Sequence, residues 1–224
     1  MLLNSLRRTL ILAITIFGIF KTKAYFGPIM KNLIIHPEDS TTTFLSQIYA
    51  PIVNKTVITE EVSKSEIPKL IESHDRVLIL GHGSPYGLLN SDQFPDAGSY
   101  IIDDSMVSAL KNKFNTVFIW CHADQFVQRN GLSGLYSAMF ISEVEEGFYY
   151  GFDDVDWNMI DQSNDRFASV VSKYLNEPME ILYQKLLIEY GFMARTNPIA
   201  RFNLERLYLT CSGTNKNPIK AVAI

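Results

Sequence analysis

The chain has 224 residues, the length of one domain with a small appendage. Apolar residues make up 47% and charged residues 20%, which supplies a real core and excludes wholesale disorder. Twenty basic against 24 acidic residues leave a net charge of −4, which argues against a dedicated nucleic-acid binder, and two cysteines are too few for a disulfide framework.

Residues 1–29 stand apart. Arg7 and Arg8 precede an apolar run from Leu10 to Phe20, shorter than the ~20 residues that span a bilayer. With Ala24 at a cleavage point this reads as a signal peptide, although Lys21 and Lys23 crowd that point. The alternative is an over-long start with Met30 as the true first residue. The first reading exports the protein and the second, slightly favoured, leaves it in the cytoplasm. Neither gives the membrane a role beyond this segment.

From Met30 the elements follow one another with clear punctuation. Leu33-Ile34-Ile35 is a buried strand ended by His36-Pro37-Glu38-Asp39, and a helix over 44–52 follows with N-cap choices from Ser40 to Thr43. The β-branched Thr56–Thr59 is a second strand. A helix beginning at Ser65-Glu66-Ile67-Pro68 runs to about Ser73. Arg76–Leu80 is the clearest strand, and it runs directly into Gly81-His82-Gly83-Ser84-Pro85. After a polar, glycine-punctuated loop over 86–100, Asp103 or Asp104 caps a short helix through Lys111. Thr116–Trp120 is a fourth strand, ending at Cys121-His122-Ala123-Asp124. A helix is predicted over 132–146 with Gly147 as its stop, then a fifth strand and core segment at Phe148–Phe152, ending in Asp153-Asp154. Beyond Asp156 the pattern is helical, with breaks at Pro178 and Asn197-Pro198.

Strands that are short, continuous apolar runs alternating with helices predict parallel pairing covered on both faces. The expected fold class is therefore α/β: a three-layer α/β/α domain with a mostly parallel sheet of about five or six strands over 30–156, and a helical C-terminal segment over 157–224 packed on it.

In open α/β sheets, sites form at the carboxyl ends of the strands. That rule gathers His36, Glu38, Asp39, His82, Cys121, His122, Asp124, Asp153 and Asp154 on one rim. A thiol attacks a carbonyl as thiolate, and an imidazole nearby lowers its pKa or removes its proton. His82 and Cys121 are the pair to do so, which predicts alkylation of Cys121 that is fast near neutral pH. Gly83 leaves a backbone N–H for an oxyanion. Asp153, Asp154 and Asp124 are candidate receivers of a basic substrate side chain, Asp153 and Asp154 also reading as a solvated turn.

The strand ending in Gly81-His82-Gly83, followed by a helix and a strand ending in Cys121, resembles the caspase-like cysteine peptidases. Cys121-His122-Ala123-Asp124-Gln125-Phe126 is also similar to the Cys-x-x-Gly-x-Phe segment of bacterial members, and the resemblance covers about 30–152. It implies Cys121 as nucleophile, His82 as general base, the N–H groups of Gly83 and Cys121 as oxyanion hole, a peptide or protein as substrate, and no cofactor. Trp120 stands where many members have a small residue, and Asp124 where glycine is common.

Other readings remain beside it. A strand-end cysteine is often a small buried hydrophobe, and the same fold serves as a caspase-like or flavodoxin-like binding module without catalysis. His82, Cys121, His122 and Asp124 are also permissible metal ligands, but no close-spaced pair such as HExxH supports a metal-dependent hydrolase. Gly81-His82-Gly83-Ser84 is too short for a phosphate loop. The sequence sets neither cleavage preference nor oligomeric state.

Overall fold

The computed structural model describes residues 30–37, 39–59, 62–90, 99–211 and 219–220. In chain order, β1 (Asn32–Ile35) leads through a short 3-10 turn into α1 (Ser46–Tyr49), β2 (Lys55–Ile58) and α2 (Ile67–Ser73), with Pro68 in the first turn where its missing N–H has no partner to lose. β3 (Arg76–Leu80) is buried at all five positions. The chain then folds into β4 (Gly83–Ser84), β5 (Gly87–Leu89) and β6 (Tyr100–Ile102), a three-stranded antiparallel sheet where the sequence showed only a polar loop. Asp103 accepts from Ser105 N at 2.9 Å to cap the turn leading to α3 (Val107–Leu110). Next come β7 (Val117–Ile119), α4 (Ala123–Asn130), β8 (Gly134–Ser137), α5 (Val144–Tyr149) and α6 (Trp157–Tyr174). The chain ends in α7 (Met179–Lys185), α8 (Gly191–Met193), α9 (Pro198–Leu204), β9 (Leu207–Thr210) and β10 (Ile219–Lys220).

Among the described residues the main sheet has seven strands in the order β10-β9-β8-β7-β3-β1-β2. Strands β2, β1, β3, β7 and β8 are parallel; β9 runs antiparallel to β8 and β10 antiparallel to β9. The chain moves outward from β1 to β2, then returns past β1 to lay down β3, β7 and β8 on the other side. The switch point between β1 and β3 opens a crevice at their carboxyl ends.

Alternate strand residues face opposite layers, as the two-residue strand period requires. Ile34, Leu78, Leu80, Val117, Ile119 and Leu135 pack under α1, α6 and α7, with Phe167, Val171 and Leu182. Leu33, Ile35, Val77, Ile79, Phe118 and Trp120 pack under α2, α3 and α4, with Ile67, Met106 and Phe126. This is the expected three-layer arrangement.

Three expectations are corrected. The predicted helix over 132–146 is instead β8, a loop and the start of α5. Gly134 sits at φ +145°, and a Cβ there would lie 2.1 Å from Thr116 O, so the glycine permits β8 to close on the chain before β7. The predicted strand Phe148–Phe152 is the end of α5 and a turn, and Tyr149 is 84% exposed rather than core. Gly147 is no helix stop: it lies within α5, where a Cβ would meet Val155 at 2.8 Å. The third correction is β9 within the expected helical segment; its alternating Leu207 and Leu209 are buried on the α6–α7 side.

Candidate functional site

The loops after β1, β3 and β7 meet at the switch-point crevice. His82 follows β3 and contacts the loop after β1: its Nε2 lies 2.7 Å from Thr41 Oγ1 and 3.2 Å from Asp39 Oδ2. The Thr41 hydroxyl donates to Asp39 Oδ1 at 2.8 Å, so its oxygen is left to accept from His82. A carboxylate also only accepts. Both partners therefore place the imidazole proton on Nε2 and leave Nδ1 as the basic nitrogen. Burial works to raise the Asp39 carboxyl, but hydrogen bonds from Thr41 and the charge of His82 hold it below the ordinary carboxylate value.

Gly83 begins the small antiparallel sheet. Leu89 N donates to His82 O at 2.8 Å, and Gly83 pairs with Leu88. The hydrogen-bonded positions thus flank Gly83, and its own N–H points away from β5. A Cβ at Gly83 would lie 2.1 Å from Trp120 Cδ1. The Trp120 indole fills that space and donates to Ser84 O at 3.1 Å. The large residue before Cys121 and the glycine after His82 are thus complementary shapes.

Cys121 is half-buried in the turn between β7 and α4, and its Sγ donates to Phe140 O at 3.7 Å. His82 and Cys121 line one pocket of about 20 Å³, with Phe44, Phe140 and Ser142 on its walls. That volume holds roughly one water molecule. Among the described residues no hydrogen bond joins the sulfur to His82. Burial pushes the Cys121 thiol up to about 12, and the charges of Glu146 and Glu143 push the same way. Apolar walls and two carboxylates all disfavour a thiolate here, opposite in direction to the lowering expected of a nearby imidazole. Glu146 accepts from Ser142 N at 2.8 Å, and burial raises its own carboxyl.

A second pocket of about 390 Å³ shares Phe44 and Ser142 with this wall. Glu143, Trp157, Asp161 and Asp165 line it, and among the described residues no lysine or arginine does.

The remaining predicted residues separate from the pocket. Asp124 lies in the first turn of α4, on the α2–α4 side of the sheet, near Tyr136 and Tyr208, whose hydroxyls are pushed up first by burial and further by its charge. Asp153 and Asp154 are exposed in the turn between α5 and α6. None of the three lines the His82–Cys121 pocket; the predicted strand that would have delivered Asp153 and Asp154 to the rim does not exist. His36 is fully buried, bonded to Tyr49 Oη at 3.0 Å and Thr42 Oγ1 at 3.3 Å, and burial lowers its pKa to about 4. His122 flanks α4 at φ 69°, a left-handed position. Glu38 lies outside the described residues. Among the described residues no three His, Cys, Asp or Glu side chains gather as a metal-binding group. Thr41, Phe140, Glu143 and Glu146 were not singled out in the sequence; all four come to the crevice through tertiary contacts.

No protein-family model matches the chain, and no curated protein matches it. Among solved structures, the apo form of D-lactate dehydrogenase from Escherichia coli is similar at 12% identity and a TM-score of 0.30. The match covers 67% of this chain and 43% of that one, a likeness too slight to bear on function.

Proposed function

We propose that the protein is a cysteine peptidase of the caspase-like kind, with Cys121 as nucleophile and His82 as general base. The observation that carries this reading is the shared pocket at the ends of the adjacent strands β3 and β7, with His82 Nε2 held by Asp39 and Thr41. Because the resting thiol is protonated, the proton passes to His82 Nδ1 as the sulfur bonds to the substrate carbonyl carbon. The oxyanion forms beside the N–H of Gly83. Collapse breaks the carbon–nitrogen bond, the imidazolium returns its proton to the departing amine, and a thioester remains. Water, deprotonated by the same imidazole, then releases the acid. The pocket of about 20 Å³ must widen to admit a peptide. A peptide running on past Ser142 meets Glu143, Asp161 and Asp165, which favours a basic side chain.

A non-catalytic binding module is the second reading, favoured by the closed pocket and the high thiol pKa. Fluorogenic peptides separate the two. Cys121→Ala and His82→Ala are expected to abolish hydrolysis with unchanged circular dichroism, and a trapped acyl group should map to Cys121. Turnover by Cys121→Ala equal to that of the unaltered protein would overturn the peptidase reading. No cleavage of any peptide by the unaltered chain leaves the binding module.

A further inference from the structure

At the amino-terminal end of the sheet, opposite the crevice, Arg76 opens β3 and is only 2% exposed. Its Nε donates to Asn32 Oδ1 at 2.6 Å, one terminal nitrogen to Leu175 O and the other to Asn176 Oδ1 at 3.0 Å. These are all neutral acceptors. Among the described residues no carboxylate lies within ion-pair distance of the guanidinium. A guanidinium has five N–H donors, so one on each terminal nitrogen is uncommitted.

A buried charge without a counter-charge is costly. The carboxyl end of α6, at Leu175, offers only a partial negative charge, ~0.5 of an electron. Arg76 also lines a pocket of about 510 Å³, together with Ser172, Lys173 and Asn176. Among the described residues no acidic side chain lines it. Lys173 adds a second cation at the rim, 58% exposed and paired with Glu189 at 3.1 Å.

We propose that this pocket binds an oxyanion group, carboxylate or phosphate, through the free terminal N–H groups of Arg76, with Lys173 and the Asn176 amide at its mouth. One N–H on each terminal nitrogen suits the several acceptor oxygens of one such group. The site is separate from the His82–Cys121 crevice and does not depend on the peptidase reading.

The test uses the full chain, with inorganic phosphate and acetate as probes and sodium chloride holding ionic strength constant. Calorimetric titration and thermal unfolding are expected to show saturable binding of at least one probe, and the stronger response identifies phosphate or carboxylate as the source. Arg76 also ties α6 to β1, so its own replacement is not the deciding variant. Asn176→Asp, at an exposed position, places a carboxylate on the guanidinium; it is expected to raise the melting temperature without ligand and to weaken probe binding tenfold or more. Lys173→Met should weaken binding severalfold. No saturable response to either probe, or an undiminished response in Asn176→Asp, overturns the proposal.

Discussion

The proton on His82 Nε2 follows from two acceptors, Thr41 Oγ1 and Asp39 Oδ2, on the same nitrogen. Asp39→Asn leaves Thr41 in place but removes the charge that stabilises an imidazolium; turnover is expected to fall at least tenfold, read as kcat on a cleaved peptide. Cys121 responds differently. With its thiol pushed up to about 12, labelling by iodoacetamide should be slow at neutral pH and should rise about tenfold per pH unit through the alkaline range. Glu146→Gln removes a negative charge facing the sulfur, lowers the thiol pKa and should speed labelling severalfold at a fixed pH, measured by mass spectrometry. A plateau already reached near pH 7 would contradict this account. His82, Gly83 and Cys121 were legible because each follows a short apolar strand. Asp39 was legible as a rim residue but not as the partner of His82, since β1 and β3 are neighbours in space with β2 between them in the chain.

At the scale of elements, the wall behind Cys121 is held from afar. Asn203, fully buried on α9, accepts from Ile141 N at 2.7 Å and donates to Ile141 O at 2.8 Å. That clasp fixes the loop carrying Phe140, whose carbonyl receives the thiol and whose ring packs on Phe167 at 4.8 Å. Asn203→Ala strands two buried backbone groups and is expected to cost about 2–4 kcal/mol in urea unfolding. Gly83→Ala is expected to cost about 1–3 kcal/mol, because the new Cβ strikes the Trp120 ring. Trp120→Leu in the same chain should recover part of that loss, a coupling that a double-mutant cycle reads directly. The aromatic run Phe148–Phe152 misled because β propensity measures fit to a half-buried pleated surface. Here the packing of Gly147 on Val155 decides for a helix and leaves Phe148 and Tyr149 exposed.

For the whole molecule, one face of the sheet is covered by α6 and α7, through Phe167, Val170, Val171, Leu182 and Leu186. A chain ending at residue 156 uncovers that face and also loses β9, the partner of β8. It is expected to lose near-ultraviolet circular dichroism and amide protection in β7 and β8. Global stability should also depend on pH through His36. Its folded pKa of about 4 lies below the ordinary histidine value of 6.5, so between those values the unfolded chain binds the extra proton. Stability is full above pH 6.5 and falls as pH drops toward 4, by about 3 kcal/mol for a shift of this size. His36→Gln should flatten that part of the curve in urea titrations.

What the sequence determined by itself is the alternation of buried strands and helices, and with it a parallel sheet whose carboxyl ends carry His82 and Cys121. Local hydrophobic runs and glycine punctuation suffice for that, because both act within a few residues. The tertiary structure decided which loops meet. The switch point brings Asp39 and Thr41 to His82, and the loop after β8 with the first turn of α5 brings Phe140, Glu143 and Glu146 around the sulfur. Burial and charge at the thiol depend on neighbours far along the chain, and that is why the protonation state of Cys121 was not readable until the chain was folded.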